Sequence, residues 1–191
     1  MLLSAQKQSH ELLKEIVAHG DLVIDATAGK GHDTLLLAQL VGQDGLVYAF
    51  DIQAEAITAS QKLLETHQLS SRVRLIEDSH SHLKNYLKAD ATVSAAIFNL
   101  GYLPGSDKTI ITQASSTIVA IQDIQDLLKE KGRIVIVAYH GHAGGPEEHL
   151  ALLTYLQSLE QSKWTVLQYQ FINQKNNPPI CYCIEKKAST K

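Results

Sequence analysis

Short apolar runs alternate with longer amphipathic stretches along most of the chain. Runs of this length, separated by stretches with helical spacing, are typical of buried strands joined by helices. Five strands are predicted, at Leu22–Ala26, Leu46–Asp51, Arg72–Glu77, Val93–Asn99 and Arg133–Tyr139. The helices between them are predicted at Thr34–Leu40, Ala54–His67, Ser79–Ala89 and Thr109–Lys131, with Gly132 as the stop signal of the last helix.

The two ends of the chain complete this pattern. An amphipathic segment, Ser4–Ala18, precedes the first strand, and a helix near Glu147–Leu156 follows the fifth. Two more strands, around Lys163–Phe171 and Ile180–Glu185, are joined by Asn173–Pro179, which is short enough for a hairpin-like return. Because strands that alternate with helices form parallel sheets, we expect an α/β Rossmann-like fold. It has a seven-stranded, mostly parallel sheet with an antiparallel last strand and helices on both faces, as in class I methyltransferases.

Length and composition indicate one domain, residues 1–191, because 45% hydrophobic residues suffice for a sizeable core. No apolar run approaches the roughly 18 residues that cross a bilayer, and Met1–Lys7 lacks the apolar region of a signal peptide. We therefore expect a cytoplasmic protein without membrane contact. Cys181 and Cys183 are predicted to be reduced core thiols. The net charge of −3 argues against a broad basic surface for nucleic acid and leaves a local basic patch open.

The segment "DATAGKGHDT" places Gly29 and Gly31 at the turn between the first strand and the first helix. Glycines there indicate that the backbone comes close to a ligand or a helix. A P-loop is excluded, because Ile24 and Gly31 stand where its first glycine and its Ser or Thr belong. A dinucleotide site is disfavoured, because Thr34 stands in place of the third glycine. An NAD-dependent oxidoreductase stays a remote alternative.

Acidic residues at the ends of three consecutive strands suit S-adenosylmethionine. Asp25 and Asp33 can attract its ammonium group, and backbone N–H groups at the helix start can receive its carboxylate. Asp51 follows Gly31 by 20 residues, the spacing at which a carboxylate accepts hydrogen bonds from ribose hydroxyls. Asp78 ends the third strand, where an acid can accept from the adenine amino group.

The fourth strand ends at Asn99, above the place where the methyl group would project. Methyltransferases that act on amino groups commonly carry Asn or Asp here, followed by prolines that this chain lacks. Since only a free amine can attack, the site needs hydrogen-bond acceptors or a base. Asn99, Tyr139, His140 and His142 are candidates, and ordinary loop histidines are an equally good interpretation of the last two. No set of Cys, His and acidic residues has metal-site spacing, so no metal is expected.

Six stretches, "DATAGKGHDT", "FDIQ", "EDSH", "NLGYLPGSDKTIIT", "VAYHGHAGG" and "NNPP", together resemble the rRNA methylase-like family of small bacterial class I methyltransferases. The resemblance covers residues 4–185, and Asn99–Thr112 is its most specific motif. Better-defined members of the family are tRNA 5-aminomethyluridine methyltransferases. The resemblance implies methylation of the exocyclic amine of 5-aminomethyl(-2-thio)uridine at wobble position 34, with S-adenosyl-L-methionine as cofactor. It also implies a tRNA anticodon stem-loop as substrate and a homodimer.

The resemblance further implies which residues form the site. The implied cofactor residues are Gly29, Gly31, Asp33, Thr34, Asp51, Gln53, Asp78, His80 and Asn99. Asp25 is added to the cofactor residues because its charge can attract the cofactor ammonium group. Lys30 is added as a cation that can bind the cofactor carboxylate, at a position where the family commonly has Asn. The predicted catalytic residues are Asn99, Tyr139 and His142. Ribosomal RNA or a small-molecule amine is the alternative acceptor, and a non-catalytic RNA-binding module is the alternative class of protein.

Overall fold

A seven-stranded sheet forms the centre of the computed structural model, which describes residues 1–101, 113–141 and 145–189. The strands are β1 (Leu22–Asp25), β2 (Leu46–Asp51), β3 (Val73–Glu77), β4 (Val93–Leu100), β5 (Leu128–Ala138), β6 (Trp164–Tyr169) and β7 (Ile180–Lys186). Their order in the sheet is β3-β2-β1-β4-β5-β7-β6. Strand β7 pairs antiparallel with β5 and β6, whereas β1 to β5 pair in parallel. The predicted sheet, with its antiparallel last strand, is confirmed.

Helices cover both faces of this sheet, as predicted. They are α1 (Ala5–Lys14), α2 (His32–Leu40), α3 (Ala54–Thr66), α4 (Ala114–Leu127) and α5 (Gly145–Ser158), with short 3-10 helices at Ser70–Arg72 and His80–Asn85. Buried side chains of α1, α2 and α3 pack on one face, and those of α4, α5 and the second 3-10 helix pack on the other. Within the described ranges, no helix is both long and apolar enough to span a membrane.

The helix predicted at Ser79–Ala89 is wrong, because the structure has only the 3-10 helix His80–Asn85 there. The Ser79 hydroxyl accepts a hydrogen bond from the Ser81 N–H group and so competes with a regular helical turn. Leu83 is fully buried and anchors the short helix to the core. Apolar spacing therefore predicted which side chain is buried but not the kind of helix.

The end of the helix predicted at Thr109–Lys131 is also wrong. Helix α4 ends at Leu127, and β5 begins at the next residue. Its pairing with β4 shifts register near the start, where Lys131 has a positive φ of 62°. A side chain on Gly132 would have its Cβ 2.9 Å from the Ser94 carbonyl oxygen of β4. Gly132 thus permits close strand contact at a bulge and does not end a helix. The first residues of the predicted helix, 109–112, lie outside the described residues.

The two cysteines confirm the expectation of core thiols. Cys181 and Cys183 are both buried in β7 and unpaired. Burial raises the pKa of each thiol to about 12. Both are therefore protonated packing groups at neutral pH.

Candidate functional site

A cavity of about 750 Å³ opens at the carboxyl ends of β1 to β5. It lies where the strand order reverses between β1 and β4, the usual ligand position in open α/β sheets. Its volume is in the range of small-molecule sites. The predicted cofactor residues that line it are Gly29, Lys30, Asp33, Asp51, Gln53, Asp78, His80 and Asn99.

The predicted catalytic residues divide between two groups. Asn99 and Tyr139 both line the cavity, at the ends of neighbouring strands. His142 lies outside the described residues, as does most of the Asn99–Thr112 motif. His140 does not line this cavity, and its ring stacks on His149 of α5 with 5.0 Å between the ring centroids.

Asp25, Gly31 and Thr34 do not line the cavity, and their contacts explain why. Gly31 has a φ of 83°, and a Cβ there would lie 2.9 Å from the Ser60 Cα atom of α3. This glycine therefore lets the turn approach α3 closely. Asp25 is fully buried, with the Thr34 hydroxyl donating to it at 2.6 Å. The hydrogen bond between Asp25 and Thr34 stabilises the turn next to the cavity.

The buried Asp25 carboxyl titrates abnormally. Burial, and then the neighbouring Asp33 carboxylate, raise its pKa from 3.8 to about 7. In the window between these values the folded state binds more protons than the unfolded state. The free energy of unfolding contributed by Asp25 therefore decreases as pH rises, by up to about 1.4 kcal/mol per pH unit.

Asp25→Asn should abolish this pH dependence. Asparagine stays neutral, can still accept from the Thr27 N–H group and can donate to the Thr34 hydroxyl. We expect denaturant unfolding between about pH 4 and pH 7 to show a flatter profile for this variant than for wild type. Asp44→Asn, at an exposed position, controls for the loss of one negative charge. If the free energy of unfolding depends on pH in the same way in Asp25→Asn and wild type, the raised pKa of Asp25 is contradicted.

Asp51, at the end of β2, connects that strand to the glycine turn. Its Oδ2 accepts from the Gly29 N–H group at 2.9 Å, and its Oδ1 accepts from the Gln53 N–H group at 3.0 Å. Each carboxylate oxygen can accept a second hydrogen bond. The side chain lines the cavity, so its remaining acceptor capacity suits a pair of hydroxyl groups on a ligand.

Asp78, at the end of β3, is held by several donors. It accepts from the Tyr86 hydroxyl at 2.7 Å, from His82 Nδ1 at 2.9 Å and from the Ser79 N–H group at 2.7 Å. These hydrogen bonds, led by that of Tyr86, lower the pKa of Asp78. The residue therefore offers an oriented carboxylate at the rim of the cavity.

His80 offers a neutral acceptor. Its Nδ1 lies 2.9 Å from the Ala26 carbonyl oxygen, which can only accept, so Nδ1 carries the ring proton. Burial lowers the pKa of His80, which favours the neutral ring. Its buried Nε2 then has a lone pair and no partner among the described residues. A ligand with an O–H or N–H group would satisfy this atom.

Asn99 has a second unsatisfied acceptor. Its Nδ2 donates to Asp33 Oδ2, and because a carboxylate accepts and does not donate, the orientation of the amide is determined. Asn99 Oδ1 is buried and has no partner among the described residues. The Asn99 backbone N–H also donates to the Thr27 hydroxyl at 2.7 Å. A fixed carbonyl oxygen at the end of β4 can accept a hydrogen bond from a substrate amine.

Sequence reasoning missed two residues of α1. Gln6 lines the cavity, and both Gln6 and His10 contact Asp33. They are four residues apart and so share a helical face. That spacing is the one feature of the sequence that could have indicated these residues. It does not predict which part of the protein this face of α1 packs against. Among the described residues, no group of three or more His, Cys, Asp or Glu side chains is arranged to hold a metal ion.

Known proteins that are similar to this chain include methyltransferases. The chain is 35% identical over 191 residues to the Arabidopsis thaliana tRNA (mnm(5)s(2)U34)-methyltransferase, chloroplastic, covering 96% of this chain and 70% of that protein. The structure of the Streptococcus mutans protein SMU.1697c, in complex with SAH, has a TM-score of 0.90 at 38% identity, with 97% of this chain and 99% of that chain covered.

A match to a family model assigns the chain to a protein family. The model described as "Putative rRNA methylase" matches residues 47–185. A Clostridium thermocellum protein with the same description has a structure with a TM-score of 0.95 at 43% identity, covering 97% of this chain and 99% of that chain. The matched residues run from within β2 to within β7 and include most of the cavity wall. The chain therefore belongs to the rRNA methylase family.

Proposed function

We propose that the protein is an S-adenosylmethionine-dependent methyltransferase that methylates the exocyclic amine of 5-aminomethyl(-2-thio)uridine at position 34 of tRNA. The observation that carries the proposal is the buried Asn99 Oδ1, a fixed acceptor without a partner among the described residues, at the edge of the cofactor-sized cavity. Membership of the rRNA methylase family and the likeness to a plant tRNA methyltransferase support the choice of reaction and substrate.

The cavity residues fit S-adenosylmethionine. Asp51 has acceptor capacity for the two ribose hydroxyls, and Asp78 can accept from the adenine amino group. The unpartnered His80 Nε2 can accept from a further O–H or N–H group of the cofactor. Gly29 and Lys30 line the cavity just before α2, and the backbone N–H groups at the start of that helix favour a carboxylate. The similar Streptococcus mutans protein in complex with SAH supports this assignment.

Bound S-adenosylmethionine supplies an electrophilic methyl group on sulfur, and the protein aligns the amine with it. Alignment of reacting groups can supply much of the acceleration of such a displacement. Asn99 Oδ1 accepts one N–H of the neutral amine and so directs its lone pair. Burial, and then the Asp33 carboxylate, raise the pKa of Tyr139, so its hydroxyl stays protonated at neutral pH. We therefore assign Tyr139 to positioning of the substrate and not to removal of its proton.

A wobble uridine suits an open site of this kind. The base is unpaired in the anticodon loop, so moving it into a pocket costs less than extruding it from a duplex. Tyr139 lies at the cavity with 42% of its surface exposed, which leaves its ring accessible to a base. Stacking of a base on an aromatic ring is worth about 1–3 kcal/mol.

Loss of the gene should remove the methyl group from one tRNA nucleoside. We expect tRNA from a deletion strain to lack 5-methylaminomethyl(-2-thio)uridine and to accumulate its aminomethyl precursor. Nucleoside analysis by mass spectrometry measures both, and expression of the wild-type gene should restore the methylated form. Unchanged tRNA with a methyl group missing from ribosomal RNA would instead favour the acceptor that the family description names.

We also propose that residues 1–191 form one catalytic domain that works as a homodimer. A single chain has a net charge of −3, so two copies can combine modest basic regions into one RNA-binding surface. Val166 and Leu167 of the edge strand β6 are exposed apolar residues that a second copy would cover. Light scattering of the purified protein should give twice the mass of the chain.

A further inference from the structure

Two side chains of α1 bind the same carboxylate at the cavity. Gln6 Nε2 donates to Asp33 Oδ1 at 2.9 Å, and His10 Nε2 lies 2.6 Å from the same oxygen. Because a carboxylate accepts hydrogen bonds, the ring nitrogen of His10 is the donor. The Asp33 side chain is 8% exposed and that of His10 is 27% exposed, so solvent weakens this contact little.

Asp33, held by Gln6 and His10, in turn holds the side-chain amide of Asn99. Its other oxygen, Oδ2, accepts from Asn99 Nδ2. Three donors, from α1 and β4, therefore hold the two oxygens of one carboxylate and fix the plane of the group. Gln6 also reaches the second substrate-facing residue, since its Oε1 accepts from the Tyr139 hydroxyl at 3.4 Å. One face of α1 thus contacts Tyr139 directly and Asn99 through Asp33.

Helix α1 is itself firmly placed. Leu12 and Leu13 are buried against the sheet, and Arg133 of β5 donates to the Leu12 carbonyl oxygen at 2.9 Å. The Ser4 hydroxyl caps the start of the helix by accepting from the Lys7 N–H group. A helix anchored in this way can hold polar side chains in one position. The residues matched by the family model begin only at 47, after this helix.

We propose that His10 and Gln6 are positioning residues for methyl transfer. They fix Asp33, and Asp33 holds the Asn99 amide with its Oδ1 free for the substrate amine. Supporting groups of this kind keep a reactive geometry within a fraction of an ångström. This inference rests on the proposed function, because it assigns the amine to Asn99.

Substitutions of His10 test the inference by their effect on rate and on binding. His10→Ala should lower the single-turnover rate by about tenfold or more, since small misplacements of reacting groups are costly. SAH affinity should change much less than the rate. His10→Gln should recover most of the rate, because its Nε2 amide can donate to Asp33. Glu11→Gln, an exposed neighbour whose side chain contacts Lys14, is the matched control and should leave the rate unchanged.

A double-mutant cycle separates positioning from a general structural role. If His10 acts through Asn99, His10→Ala should have little further effect on the rate in an Asn99→Ala background. Equal effects of His10→Ala in both backgrounds would overturn the inference. So would equal losses of rate in His10→Ala and His10→Gln.

A spectroscopic measurement tests the inference without the reaction. In wild type, the Asn99 side-chain amide proton that points to Asp33 should have a downfield NMR signal with slow solvent exchange. His10→Ala should shift and broaden this signal, and His10→Gln should restore it. An unchanged Asn99 signal in a folded His10→Ala protein would overturn the inference. If wild type does not methylate the aminomethyl RNA, the proposed function fails, and the NMR result alone decides whether His10 holds Asn99.

Discussion

Replacing Asn99 by alanine is expected to lower the methyl-transfer rate by about 100-fold or more, because loss of a positioned polar partner has effects of this size. The variant removes the buried Oδ1 acceptor and also the donor to Asp33. SAH affinity should fall less than the rate. Single-turnover kinetics with aminomethyluridine-containing RNA measure the methyl-transfer rate. Titration calorimetry measures the SAH affinity.

Two further variants sharpen this experiment. Asn99→Asp should be equally inactive, since its carboxylate would face that of Asp33 without a hydrogen to donate. Asn173→Ala, at an exposed position between β6 and β7, is the control and should retain the wild-type rate. A wild-type rate in Asn99→Ala would remove this side chain from the mechanism. Backbone carbonyl groups around Leu100 would then be the acceptors of the amine N–H.

Replacing Asp51 should have the largest effect on cofactor binding. We expect Asp51→Ala to weaken SAH binding by about 1.5–3 kcal/mol, which is roughly 10-fold to 150-fold. The variant loses the acceptor for the ribose hydroxyls and also leaves the Gly29 N–H group without its partner. Titration calorimetry of the purified protein provides the affinity.

Asp51→Asn and Glu55→Ala complete the test. The asparagine has the size of the aspartate, but its amide N–H would oppose the Gly29 or the Gln53 N–H group, so binding should weaken nearly as much. Glu55, at an exposed position in the first turn of α3, is a nearby acid whose loss should leave affinity unchanged. Wild-type affinity in Asp51→Ala, or tight binding of NADH by the wild type, would refute the cofactor assignment.

The centre of the sheet was predictable because β1, β2 and β4 are buried along most of their length. Such strands are continuous apolar runs, and polar residues appear where the strand ends, as at Asp51 and Asn99. The carboxyl ends of parallel strands meet at one edge, so Asp51 and Asp78 could be assigned to the cavity from their order along the chain. Apolar spacing failed to predict the type and the end of a helix where local hydrogen bonds or backbone conformation determine them. The capped turn at Ser79 and the bulge at Lys131 are the two cases.

The cavity wall was only partly predictable. An acid that follows a strand can face the cavity, as Asp51 does, or be buried beneath it, as Asp25 is. The difference depends on contacts such as that of Asp25 with Thr34, which spacing alone does not specify. The approach of α1 to Asp33 depends on tertiary packing against β5 and β7. For this reason Gln6 and His10 emerged only from the structure.

The most direct test of the proposed reaction uses purified protein, S-adenosylmethionine and a synthetic anticodon stem-loop with 5-aminomethyluridine at position 34. The same stem-loop with unmodified uridine, and ribosomal RNA, are the comparison substrates. Mass spectrometry of the digested RNA should show one added methyl group on the aminomethyl nitrogen and none on either comparison substrate. Methylation of ribosomal RNA alone, or of the stem-loop regardless of its aminomethyl group, would contradict the proposed function.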